Sequence, residues 1–165
     1  MTKTSRSKAK VKKPKPIPDN IRQKALAEFQ KLRRIEESDD NGYVYCISCG
    51  TPMHWKEADG GHYISRTCTA TELEPDNVNP QCQRCNKYLR GAQDDYRYFL
   101  ERKIGTDRVR RLEDMKHAYK GDEKAKSRLS EEDQVEIFRT KGKVYYKNRY
   151  DEYKARVKEL LNDKC

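Results

Sequence analysis

The chain has 165 residues, 34% of them apolar and 39% charged, which excludes a single large hydrophobic core and points to a small domain needing a metal or disulfide staple. Its formal charge of +10 favours a polyanionic partner. That charge is unevenly placed: residues 1–18 carry seven Lys/Arg (Lys3, Arg6, Lys8, Lys10, Lys12, Lys13 and Lys15) and no acid, leaving 30 basic against 27 acidic residues elsewhere.

In chain order, residues 1–18, rich in Lys and Ser with Pro14, Pro16 and Pro18, read as a disordered basic arm. Pro18-Asp19-Asn20 reads as a helix start because Asp or Asn can cap free backbone N–H groups. Ile21, Ala25, Phe29, Leu32 and Ile35 then recur at helical spacing to about residue 37, and Ser38–Gly42 ends the helix. Tyr43-Val44-Tyr45 is a short strand. A second strand is expected around Gly61–Ser65, entered through a Gly60-Gly61 turn, with residues 67–80 as loop. A helix begins near Cys82 or Cys85, and another spans Asp94 to Lys103 with Tyr96, Phe99 and Leu100 inward, closed by Gly105. Thr106 caps a helix carrying Val109, Leu112, Met115 and Tyr119, which Gly121 ends. Ser130–Asp133 resembles a capping box ahead of Val135 and Phe138. Finally Tyr146, Tyr150, Tyr153, Val157 and Leu160 form a narrow seam suited to packing on another helix of the chain or, less readily, on a second subunit. The organisation expected is an arm over 1–18, an N-terminal helix within 19–40, a core over 41–105 and a helical region over 106–165. No apolar run reaches the length of a membrane span and no signal-peptide stretch opens the chain, so a cytoplasmic protein without membrane contact is expected.

Two Cys-x-x-Cys pairs, Cys46/Cys49 and Cys82/Cys85, carry the strongest chemical signal. Four thiolates from two tight turns complete a closed tetrahedron around one Zn²⁺, and in a reducing compartment this pattern favours metal over disulfides. A full set of four leaves no position for water, so the zinc is structural and any catalysis needs a second site. Thirty-two residues separate Cys49 from Cys82, more than a simple zinc ribbon encloses. Cys68 and Cys165 read as buried or idle thiols, and His54 and His117 as structural or surface residues.

Between and just after the cysteines lie Asp59, His62 and Asn86. Hydrolysing a phosphodiester requires an activated water, charge neutralisation on the phosphate and help for the leaving oxygen. A neutral His can take the water's proton near pH 7, and a hard ion held by carboxylate and amide oxygens can do the rest. A lone His is more often structural, but the two glycines before His62 permit close approach of backbone or ligand.

The stretches Cys46-Ile47-Ser48-Cys49-Gly50, Asp59-Gly60-Gly61-His62-Tyr63, Asn77 to Asn86 and Tyr96-Arg97…Leu100…Ile104-Gly105 resemble the phage lambda-type NinG (Rap) recombination nucleases. More broadly they are similar to zinc-stapled HNH, or ββα-metal, endonucleases. The resemblance covers residues 43–120 well and the terminal helix more loosely. It implies an α+β fold, mainly helical, with a small zinc-stapled ββα-metal core flanked by helices. It also implies His62 as general base, Asn77 bracing the loop between the strands and the helix, and Asn86 as ligand to a catalytic Mg²⁺ or Mn²⁺. Two positions depart from the wider pattern. Gly61 stands where a metal-binding Asp or His usually precedes the catalytic His; either Asp59 folds back onto the metal, the reading adopted, or it orients His62 from behind. Leu89 stands where many members have Lys, leaving Lys87, Arg90 or Arg66 to contact phosphate.

The expectation is a metal-dependent endonuclease acting on branched recombination intermediates such as D-loops and Holliday junctions, within the bacterial host if phage-encoded. The branched preference and an attractive homodimer follow from the resemblance alone. Rival readings are a non-catalytic zinc-stapled DNA-binding module and a protein-interaction adaptor using the aromatic seam.

Overall fold

A computed structural model describes residues 19–163; the basic arm and Cys165 lie outside them. Helix α1 (Ile21–Glu36) buries Ile21, Ala25, Leu26, Phe29, Leu32 and Ile35 on one face. That face packs along α6 (Lys143–Asp163), whose Tyr146, Tyr153 and Val157 are buried and whose Tyr153 ring lies 5.0 Å from that of Phe29. The seam of tyrosines is thus satisfied within the chain. The start of α1 is where the sequence puts it, but its cap is not: Asn20 makes no side-chain cap hydrogen bond, and Asp19 instead pairs with Lys143 at the start of α6.

Two small antiparallel pairs follow. Strand β1 (Tyr43–Tyr45) pairs with β2 (Pro52–His54), and β3 (Asp59–His62) with β4 (Val78–Gln81) in the register Asp59↔Gln81, Gly60↔Pro80, Gly61↔Asn79, His62↔Val78. The sequence reading missed β2 and assigned most of β4 to loop. Both are short and contain proline, which contributes no ladder N–H and ordinarily argues against a strand. A backbone bond from Ile47 N to Pro80 O, 2.9 Å, ties the two pairs together.

Gly60 and Gly61 are not a turn. They lie inside β3, where space rather than backbone freedom requires them. A Cβ on Gly60 would meet Cβ of Gln30 at 2.6 Å and its Cα at 3.1 Å, so α1 presses directly on the strand. A Cβ on Gly61 would meet the Gln81 side chain, with Cβ at 2.9 Å. Gln30 Nε2 donates to Gly60 O at 3.0 Å and Arg34 Nη1 to Ala58 O at 2.6 Å, fixing α1 against β3.

After β4 the chain makes one π-helical turn (Arg84–Tyr88), shorter than the helix expected there. It then reverses through Arg90, Gly91 and Ala92, all with positive φ (51°, 93° and 42°). Helices α2 (Gln93–Ile104), α3 (Thr106–Tyr119), α4 (Glu123–Ser127) and α5 (Glu131–Phe138) complete the fold. They share a core with the loop between β3 and β4, which contributes Tyr63, Ile64, Cys68 and Ala70. The regions on either side of residue 105 are therefore packed together.

Several details differ from the periodicity. Phe99 is 40% exposed while Tyr96 and Leu100 face inward. Thr106 is the first residue of α3 and caps nothing; Gly105 takes the cap position without a side-chain bond. The short α4, unanticipated, is capped by Asp122, which accepts from Lys124 N and Ala125 N. Ser130 does accept from Asp133 N at 3.2 Å, but the Asp133 carboxylate turns to Arg111, so only half of a capping box forms. Among the described residues no helix is long and apolar enough to cross a membrane.

The packing predicts that Gly60→Ala loses about 1–3 kcal/mol in urea unfolding, the usual cost of overpacking against backbone. Gly142→Ala, with nothing within 4 Å of the added Cβ, should change stability by less than about 0.5 kcal/mol.

Candidate metal centre and active site

The β1–β2 turn folds Cys46 and Cys49 onto one side of a knuckle, closed by Gly50 N to Cys46 O (2.8 Å) and by the left-handed backbone of Gly50 (φ 71°). Cys82 and Cys85 come from the end of β4 and the π-helical turn. All four sulfurs lie within 4.8 Å of one another, with Cys49 Sγ and Cys82 Sγ 3.8 Å apart. Tetrahedral zinc with Zn–S near 2.3 Å needs an S···S edge of about 3.8 Å, so the set fits that ion. The electrostatics agree. Burial pushes the Cys46 thiol up, and burial with neighbouring thiols pushes Cys85 up. Cys49 resists its own burial and, through bonds from Thr51 and the thiols of Cys46 and Cys85, falls to about 6. Four thiolates cannot coexist so closely without a cation to balance them.

Beside this centre, β3 carries Asp59 and His62. The His62 ring is half-buried, and its Nε2 lies 3.0 Å from the backbone carbonyl of Glu72. A carbonyl only accepts, so Nε2 carries the proton and Nδ1 keeps its lone pair, approached only by the Gln30 amide at 3.5 Å. Burial dominates the His62 environment and, with the Arg66 charge, lowers its pKa below the ordinary 6.5 despite the opposing carbonyl bond and Glu72 charge. The ring is neutral at pH 7.

Asn77 is fully buried. It accepts from Ile64 N at 2.6 Å and donates to Ile64 O at 3.0 Å and Thr71 O at 2.8 Å. The loop it ties is the one between β3 and β4, rather than one between the strands and the following helix. Asn86 Nδ2 donates to Asp59 Oδ2 at 3.0 Å, and Lys87 Nζ is 3.3 Å from the same oxygen. Asp59 therefore reaches Asn86 and Lys87; the two ring nitrogens of His62 are occupied by Glu72 O and the Gln30 amide. Among the described residues, no second group of three or more His, Cys, Asp or Glu side chains converges as the cysteines do. A catalytic ion here would rest on one carboxylate and one amide oxygen.

His62 and Asn86 share a cleft of about 400 Å³ whose rim includes Arg66, Arg90 and Lys116. Each of these cations lacks an acidic partner, whereas most other Arg and Lys side chains among the described residues are in ion pairs. Lys87 lies outside the cleft, on Asp59. Sequence reading found Arg66 and Arg90 but missed Lys116 and Gln30. Both sit in helices remote in sequence, and only tertiary packing brings them to His62. His54 packs edge-on against Tyr43, Cys68 is buried in the helical core, and neither touches the cleft.

The family model for the Bacteriophage Lambda NinG protein matches residues 1–140. No curated protein and no solved structure matches the chain.

One equivalent of zinc per chain is expected by metal analysis; Cys49→Ser should release it and lower the melting temperature, while Cys68→Ser should keep it. Because the folded His62 resists protonation, the unfolded chain takes up its proton first as the pH falls through about 6.5. Folding stability should therefore drop from about pH 6.5 down to the lowered folded value and then level off. His62→Gln should remove that part of the loss, as measured by urea midpoints at pH 7.5 and 5.5.

Proposed function

Because the chain belongs to the bacteriophage lambda NinG family, we propose that it is a structure-selective, metal-dependent DNA endonuclease of the HNH type, acting on branched recombination intermediates such as D-loops and Holliday junctions. The observation that carries the reading is the tautomer of His62: a neutral ring whose Nδ1 keeps its lone pair, met only by the Gln30 amide at 3.5 Å, on the wall of a cleft rimmed by three cations without acidic partners. His62 Nδ1 removes a proton from the attacking water. Its Nε2–H, held by Glu72 O, keeps the ring oriented as charge develops on it. Arg66, Arg90 and Lys116 bind the phosphate oxygens and stabilise the added charge at the phosphorus. Asn77 keeps the β3–β4 loop closed behind the ring. Asp59 and Asn86 would hold Mg²⁺ or Mn²⁺, a hard ion suited to oxygen ligands, which would neutralise phosphate charge and assist the leaving oxygen. The thiolate cluster supports the reading by fixing the turn that carries Asn86, and strand–strand–helical turn is the order of elements that a ββα-metal site uses.

A second reading has one observation in its favour. Lys87, 3.3 Å from Asp59, balances that carboxylate without any metal, as a zinc-stapled DNA-binding module with no chemistry would. Branched substrates also make a homodimer attractive, since symmetric cutting of a four-way junction needs two sites.

Cleavage of junction, flap and linear duplex DNA, each with Mg²⁺, Mn²⁺ or chelator, separates the readings. His62→Ala should lose about 100-fold or more of the rate while retaining zinc and fold; full activity in that variant would sink the mechanism. Salt-sensitive binding without cutting in any divalent metal would select the binding module. Replacing Arg66, Arg90 and Lys116 together with Ala should make the log–log salt dependence of duplex binding shallower by roughly 0.9 per lost phosphate contact.

A further inference from the structure

The carbonyl that sets the His62 tautomer belongs to a residue whose own side chain is anchored from two directions. Glu72 is fully buried. Its Oε2 accepts from Arg22 Nε at 3.1 Å, on α1, and its Oε1 accepts from Tyr146 OH at 2.6 Å, on α6. Arg22 Nη2 also donates to Arg66 O at 3.1 Å, so one guanidinium pins both ends of the segment 66–72, whose Arg66 lines the cleft. A buried carboxylate is strongly disfavoured unless charged and polar partners satisfy it, so Glu72 cannot swing away from these two donors without a large cost. Its main chain is held with it, and the carbonyl stays aimed at Nε2. Tyr146 lies beyond residue 140, outside the stretch that the family model matches.

We propose that Arg22, Glu72 and Tyr146 form a positioning relay through which α1 and α6 fix the tautomer of His62. The relay deepens the nuclease reading, since it specifies what keeps the general base ready. None of the three touches substrate; each acts through the Glu72 backbone. If the relay operates, loosening the α6 end frees residue 72 to move, its carbonyl leaves the ring, and the proton distributes between Nδ1 and Nε2.

The test uses the full zinc-loaded chain labelled with ¹⁵N, with the His62 ring signals assigned by their loss in His62→Ala and read by long-range ¹H–¹⁵N correlation. In the wild type the Nε2–H tautomer should dominate. In Tyr146→Phe, and again in Glu72→Gln, the His62 ring nitrogens should shift toward one another as the tautomers mix, with His54 and His117 unchanged. Junction cleavage should fall by about 10–100-fold, the range that lost hydrogen-bond partners of metal-ligating histidines produce. Tyr153→Phe is the control: this ring is buried on the same α1/α6 interface against Phe29 and makes no bond to Glu72. It should leave the His62 spectrum as in the wild type. An unchanged tautomer in a folded Tyr146→Phe would overturn the proposal, as would an equal change in Tyr153→Phe, which would attribute the effect to helix packing. A wild type that cuts no DNA while the expected spectral shifts occur would uphold the relay and overturn only the nuclease reading.

Discussion

The meeting of four sulfurs is the constraint on which the rest of the structure depends. Cys49 and Cys82 are 33 positions apart in sequence and 3.8 Å apart at their sulfurs. Closing that loop brings a knuckle from the first strand pair against the end of the second. It fixes where β4 stops and where the π-helical turn begins, and it thereby places Asn86 beside Asp59. The strand pairs are too short to do this alone; two strands of three or four residues are marginal in water without outside support. A metal held by the four sulfurs would supply what the small apolar surface cannot.

Charge is the second resource, and the fold distributes it selectively. Glu72, Asp114 and Asp133 are buried or nearly so, and each takes an arginine: Arg22, Arg128 and Arg111 respectively. Such pairs add little net stability over apolar packing, but they are specific, because losing one partner strands a charge. Arg66, Arg90 and Lys116 have no such acid, and all three line one cleft. Net charge alone describes this poorly. What distinguishes the cleft is that it gathers three cations with no acidic partner beside His62 and Asn86.

The readable and unreadable parts of this chain divide along physical lines. Long amphipathic helices were legible because the 3.6-residue period of α1 and α6 is imposed by burial along one face, and the cysteine set was legible because few other arrangements of thiols serve a purpose. The Pro-containing strands were not, since β2 and β4 owe their existence to partners across the pair rather than to their own propensity. Gly60-Gly61 reads as a turn because glycine signals both backbone freedom and close approach, and only the positions of Gln30 and Gln81 distinguish them. Outward Phe99 shows the same limit on a helix, where neighbours decide which of two adjacent apolar residues is covered. At the site, Asp59, His62, Asn77 and Asn86 were visible as chemistry. Lys116, Gln30 and the support from Glu72 became visible only once α1, α3 and α6 had converged.

The corner at Arg90, Gly91 and Ala92 carries a further consequence. Left-handed backbone costs a residue with a side chain about 1–2 kcal/mol, and two of these three positions hold one. Folding bears that cost in full before any ligand arrives. The backbone that presents Arg90 to the cleft is therefore set before any ligand arrives, so an anion bound there would have little main-chain freedom left to remove.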